Sequence, residues 1–324
     1  VYRFKFYDTA AAFTTYDMGG APRTVKLADM DGDGNLDILV GNENVSILVN
    51  RGGGIFGPPP DAEPVLTGPA DSIAVTHLNG TDLLDVVTSG FGTFDGVLEQ
   101  IVSVGLNTGG GKFSQAARFA VGGAVESGTE PCGAQLIAAG DFNGDGIGDA
   151  AVAGFASGEV LVVLHQADGT AQSSAAYPIE PSPQSLTATD LDGDGDLDLA
   201  VITQYNAQSN GSGLSVLRNN GNGAFVVEGR PRLWRSASAV TTADMNGRGG
   251  EDLIVASNTL RWGKNAVCIL RNRGNAAFGR ERWITVGDQP SFAVAAADFD
   301  GDGSVDLAVG NSPDIVILLN KHNR

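Results

Sequence analysis

The chain has 324 residues, 42% apolar and 18% charged, a balance that supports a packed core and excludes wholesale disorder. A formal charge of −18 argues against nucleic acid, which wants clustered Lys and Arg, and no run of about 18 apolar residues offers a membrane span. Glycine, at 46 residues, is about double its usual share and points to many tight turns.

The chain opens VYRFKF, without an initiator Met or a signal-peptide pattern, as expected of a processed mature chain. Six copies of one unit follow, anchored on Asp29, His77, Asp141, Asp190, Asp244 and Asp298 and spaced 48, 64, 49, 54 and 54 residues apart. Each begins with a short strand of small residues, VKLA in the first copy and AVAAA in the last. An acidic loop comes next, then an apolar strand such as DILV, DAAVA or DLAVG. After a variable loop a third strand runs from VSILVN in the first copy to IVILLN in the sixth. In most units a Gly/Asn turn and a Phe (Phe56, Phe113, Phe225, Phe278) open a fourth. Short β-branched and apolar runs between Gly/Asn/Asp clusters read as strands, and the lack of a 3.6-residue period predicts little helix.

Four antiparallel strands per unit predict an all-β fold, a β-propeller with six four-stranded blades, seven being the alternative, formed by residues 1–324 as a single domain. The chain ends on a third strand. A fourth-type segment around Phe13 (FTTYDMGGAP) is therefore expected to join the C-terminal blade and close the ring.

The acidic loops carry the chemistry. In D-x-[DN]-x-D-G-x-x-D the side chains at positions 1, 3, 5 and 9 converge, and a Gly turn brings in the carbonyl of position 7. Six to eight hard oxygens of this kind are what Ca²⁺ takes. The first site is expected from Asp29, Asp31, Asp33 and Asp37 with the Asn35 carbonyl, the second from Asp141, Asn143, Asp145 and Asp149 with Ile147. Asp190, Asp192, Asp194 and Asp198 with the Asp196 carbonyl form the third, and Asp298, Asp300, Asp302 and Asp306 with Ser304 the fourth. An EF-hand begins alike but needs an acid at position 12, where this chain has Val40, Val152, Val201 and Val309. Much of the negative charge thus reads as metal ligation.

Two loops depart from the pattern. HLNGTDLLD places His77 at position 1 and Thr81 at position 5, and DMNGRGGED places Arg248 at position 5. Neither is expected to bind Ca²⁺, and the Arg248 guanidinium is expected to replace the metal between Asp244 and Asp252. About four structural Ca²⁺ ions remain, each clamping the hairpin between the first two strands of a blade. Sites of this type bind at roughly 0.1–1 mM, which suits extracellular Ca²⁺ and predicts a secreted or cell-surface protein.

The unit DFDGDGSVDLAVGN, with its later Gly/Asn turn and Phe, resembles the FG-GAP/VCBS repeat, in four strong copies and two weak ones over essentially the whole chain. That repeat builds the propeller of integrin α subunits and of several fungal and bacterial lectins. The lectin resemblance implies glycan binding between adjacent blades; the integrin resemblance implies an extracellular protein ligand. Polysaccharide lyases also use propellers. Here only His77, His165 and His322 are available and no nucleophile motif is present, so a non-enzymatic binding module is the expectation.

Strand parity puts the longer variable loops on the face opposite the acidic loops: GFGTFDGVLEQ (90–100), VGGAVESGTEPCG (121–133), TQYNAQSNGSG (203–213) and SNTLRWGKN (257–265). Phe91, Phe94, Tyr205 and Trp262 on these loops are the candidate ligand contacts, unless each merely buries its own loop. Trp234 and Trp283 fall near fourth strands and suit blade packing. Cys268 occupies a third-strand slot that holds Ser elsewhere and reads as a core residue, whereas Cys132 is expected in a loop as an unpaired thiol.

Overall fold

β-Branched and apolar runs punctuated by Gly, Asn and Asp give an all-β chain, with no helix among the described residues. The computed structural model describes residues 2–3, 16, 21–52, 55–58, 66–124, 136–204, 212–228, 232–233, 236–257, 265–287, 291–311 and 314–321. The strands assemble into six four-stranded antiparallel blades, the six-bladed β-propeller that the repeat spacing predicts. In blades 1 and 4 the fourth strand is broken. Phe56–Gly57 and Leu66–Thr67 both pair with Asn44–Asn50, as Phe225–Glu228 and Arg232–Leu233 do with Ser212–Asn219.

The chain divides into two compact units. One comprises Asp17–Pro183 with Gly221–Ala224 and carries blades 1 to 3; the other comprises Val1–Tyr16, Gln184–Asn220 and Phe225–Arg324 and carries blades 4 to 6. In the second unit Tyr2–Arg3 pairs with Asp314–Leu318, placing Tyr2 opposite Ile317, and completes blade 6. The N-terminus thus supplies a strand to the C-terminal blade through Tyr2–Arg3; the segment around Phe13 lies outside the described residues.

Within each unit the blades pack through their middle strands. Asp149–Gly154, Asp198–Thr203 and Asp252–Ser257 are buried at every position, which explains their unbroken apolar runs. Leu39, Val45 and Ile47 of blade 1 meet Ile73 and Val86 of blade 2, and Leu214 and Val216 of blade 4 meet Leu253 and Val255 of blade 5. Each such side chain contributes about 1.5–3 kcal/mol when fully buried. Cys268 lies in the same blade 4–5 core, opposite Trp283 of the fourth strand, as read from the sequence. Cys132 and Trp234 lie outside the described residues.

Blade 2 differs from the others. Its second and third strands, Asp85–Phe94 and Val97–Gly109, are joined by Asp95 and Gly96, with φ of 49° and 83°. Two consecutive positive φ values are what a tight hairpin turn requires, and Asp-Gly provides them. Segment 90–100, expected as a loop, is therefore a strand hairpin. Its glycines make the extension possible, since a Cβ on Gly90 would lie 2.5 Å from the Pro69 backbone.

Candidate functional site

Each intact acidic loop is wound around its first aspartate. Asp29 Oδ1 accepts from the Gly32 amide at 2.8 Å, and its Oδ2 from the Gly34 amide at 2.8 Å. Asp141, Asp190 and Asp298 accept from the matching glycines at 2.7–3.0 Å. Both glycines sit in the left-handed region, Gly32 at φ 80° and Gly34 at 88°. That explains the repeated G-x-G, of which sequence reasoning used only the second glycine. At position 7 the amides of Asn35, Ile147, Asp196 and Ser304 donate to the position-5 carboxylates at 2.8–2.9 Å.

This winding gathers the side chains at positions 1, 3 and 5. Asp29, Asp31 and Asp33 each present a carboxylate oxygen within 4.8 Å of the others, as do Asp190, Asp192 and Asp194, and Asp298, Asp300 and Asp302. These three triads could hold metal ions. In blade 3 Asn143 takes the middle place, and its amide lies 2.9 Å from Asp145. Crowding shows in the electrostatics. Burial first, then Asp37, Asp33 and Asp29, pushes Asp31 above the usual carboxylate range. A dication among such groups would reverse that cost.

Position 9 has a different setting. Asp37, Asp149, Asp198 and Asp306 are fully buried. Each Oδ2 accepts the amide of position 2 (Met30, Phe142, Leu191, Phe299) at 2.8–3.0 Å. Each Oδ1 accepts the amide of the residue ending the third strand (Asn50, His165, Asn219, Asn320) at 2.7–2.9 Å. What these carboxylates can offer a cation is the lone pairs left over. Burial pushes Asp149 and Asp198 up to about 6 against the pull of the two amides each accepts, and the neighbouring loop carboxylates add to the rise.

The departed loops keep this frame. Asp85 of blade 2 is fully buried and accepts from Leu78 and Asn107 exactly where the intact loops do so, at 2.8 and 2.7 Å. In blade 5 Asp244 accepts from the amides of Asn246, Arg248 and Gly249. The Asn246 side chain donates to Asp252 at 2.9 Å. Asn246 thus meets Asp244 through its backbone amide and Asp252 through its side chain, whereas the Arg248 guanidinium makes no ion pair among the described residues. A short amide next to Asp244 reaches Asp252 without ordering a long side chain.

Of the aromatic candidates, Phe91 and Phe94 stand on a strand. Phe91 packs edge-on against Phe155 with centroids 5.8 Å apart, and the Arg118 guanidinium lies 5.9 Å from the Phe94 ring centre. Tyr205 and Trp262 lie outside the described residues, as does most of the loop sequence in 121–133, 203–213 and 257–265. Sequence reasoning also missed the asparagine that ends most third strands. Asn107 Nδ2 donates to Leu84 O of its own loop at 3.0 Å and to Met30 O of the preceding blade's loop at 2.8 Å. Asn272 does the same with Glu251 O and Leu191 O. The repeated Asn in LVN, GLN, LRN and LLN was the available signal.

The model of the FG-GAP-like repeat family matches residues 141–201, 190–255 and 244–309, together just over half of the chain. Each match opens on the first aspartate of an acidic loop and ends in the second strand of the following blade. A search among curated proteins finds no match. The crystal structure of the V. cholerae biofilm matrix protein Bap1 is similar over 86% of this chain and 41% of that one, at 18% identity and a TM-score of 0.47. The present chain thus spans less than half of that protein, and so slight a likeness carries no argument. The loop frame repeated in every blade is the feature on which the family matches begin, and by those matches the chain belongs to the FG-GAP-like repeat family.

Proposed function

We propose that residues 1–324 form one secreted or cell-surface binding propeller, stapled by about four Ca²⁺ ions, that takes carbohydrate and catalyses no reaction. The observation that carries the metal reading is the set of three aspartate triads, each with oxygens within 4.8 Å of one another. Oxygen-only donor sets suit Ca²⁺ and not the softer transition metals. Asp141, Asn143 and Asp145, in a loop of the same hydrogen-bond frame, supply the fourth site. The carbonyls of Asn35, Ile147, Asp196 and Ser304 and the spare lone pairs of the position-9 aspartates complete the shells. Bound at those sites, Ca²⁺ would supply the positive charge that holds positions 1, 3 and 5 together. Shallow, turn-borne sites of this kind fill at millimolar Ca²⁺, which supports an extracellular setting.

Carbohydrate is favoured by the resemblance to propeller lectins, together with a rigid scaffold that carries its chemistry on loops. A glycan array probed with the Ca²⁺-loaded protein, and with an EDTA-treated sample alongside, tests this. Discrete hits that vanish in EDTA are expected. Silence across the array would contradict the carbohydrate reading and leave a protein ligand of the integrin-propeller kind.

A further inference from the structure

A cleft of about 750 Å³ opens between blades 4 and 5 on the side of the acidic loops. One wall is the blade 4 loop, with Asp190 and Asp192; the other is the altered loop of blade 5 and the turn after its third strand. Four arginines line it: Arg248, Arg271, Arg273 and Arg280. All four are exposed, and none makes an ion pair or a side-chain hydrogen bond among the described residues. Arg23 and Arg218, by contrast, are committed to Asp71 and Glu228 at 2.7 and 2.6 Å.

Blade 5 combines cations that its siblings carry singly or not at all, as Arg218 of blade 4 matches Arg271 and Arg51 of blade 1 matches Arg273. Arg248 stands where the intact loops have Asp33, Asp145, Asp194 and Asp302. Arg271 and Arg273 flank the strand-end Asn272, and no other blade has arginine on both sides of that slot. Arg280 follows the Phe278-Gly279 pair. The blade that has given up a metal ligand has thus gathered uncommitted cations on one wall, in a chain whose formal charge is −18.

We propose that this cleft binds an acidic saccharide, its carboxylates held by the arginines. The inference rests on the carbohydrate reading above and names the ligand class. Guanidinium forks match carboxylates in bidentate fashion, which lysine does not. The volume falls in the range of ordinary ligand sites, about 300–1,000 Å³. Saccharide is preferred to acidic peptide on the carbohydrate reading, since Asp190 and Asp192 on the facing wall belong to the cation site of blade 4.

The test is calorimetric titration in about 1 mM Ca²⁺ with four probes: hexagalacturonate, its methyl ester, a neutral hexasaccharide and hexaglutamate. Hexagalacturonate is expected to bind at least about tenfold more tightly than its ester. Arg271→Gln with Arg273→Gln should lose at least about tenfold in that affinity while the thermal midpoint stays in place, since both side chains are exposed. Acid, ester and neutral sugar binding alike would overturn the acidic class and leave the carbohydrate reading standing. Failure of every glycan, here and on the array, would overturn both. Hexaglutamate binding as tightly as hexagalacturonate would overturn the saccharide in favour of an acidic peptide.

Discussion

Asn107 Nδ2 donates to the Met30 carbonyl at 2.8 Å and so ties the end of a third strand in blade 2 to the acidic loop of blade 1. Its Oδ1 accepts the Gly109 amide at 2.9 Å, and its own amide caps Asp85 at 2.7 Å. One buried residue thus joins two loops and a turn. Asn107→Ala should lower stability by about 2–3 kcal/mol, because Met30 O and the Gly109 amide lose their partners. The shift of the urea midpoint measures it, and no shift would remove the asparagine from the list of inter-blade ties.

Blade 3 has His165 in that slot. It is buried, and its Nδ1 has no hydrogen-bond partner. His165→Asn should stabilise the protein by about 1 kcal/mol by restoring the side chain that the other blades use. Burial holds the His165 pKa below its usual value. The unfolded chain therefore takes up a proton below about pH 6.5 that the folded one refuses, and stability falls as pH drops through that region. The variant should lose this part of the pH dependence, which parallel urea titrations at two pH values would reveal.

Asp85 and Asp31 separate scaffold from metal. Asp85 lies in a loop that lacks the full ligand set, yet it accepts two buried amides. Asp85→Ala should cost on the order of 3 kcal/mol whether or not Ca²⁺ is present. Asp31→Ala should instead cost little in EDTA and abolish the gain that Ca²⁺ brings to the first loop. Thermal midpoints of both variants with and without Ca²⁺ decide the matter, and identical responses would contradict the division of roles.

The repeat made much of this legible. Strand order, blade number and the gathering of positions 1, 3 and 5 followed from spacing, because a tight turn leaves those side chains few places to go. Position 9 was not legible as a buried frame. Its aspartates resemble the ligands in type, and only the third-strand amide, as with Asn50 and Asp37 thirteen residues apart, fixes their burial. The extension of blade 2 was missed because Asp95-Gly96 reads as one more loop signal until its pairing partners are known. The arginine wall was missed for a similar reason: Arg248 and Arg271 are 23 residues apart and meet only through the blade.

Acidification should weaken Ca²⁺ binding. Without a cation, burial and neighbouring carboxylates raise Asp149 and Asp198 to about 6, so the folded chain holds protons that the unfolded one releases. Cation-free stability from these groups is therefore fully present below about pH 4 and is lost as pH rises towards 6. Ca²⁺ must displace those protons. Titration in two buffers of unlike ionisation enthalpy should show proton release near pH 5–6, and an affinity equal at pH 5 and pH 7 would contradict the coupling.

Equilibrium dialysis with elemental analysis is the most direct test that cations staple the blades. At a few millimolar Ca²⁺ the chain should hold about four equivalents, one per intact loop, and Asp298→Ala with Asp300→Ala should reduce that by one. A chain that binds no Ca²⁺, or whose stoichiometry ignores the loss of those aspartates, would contradict the account.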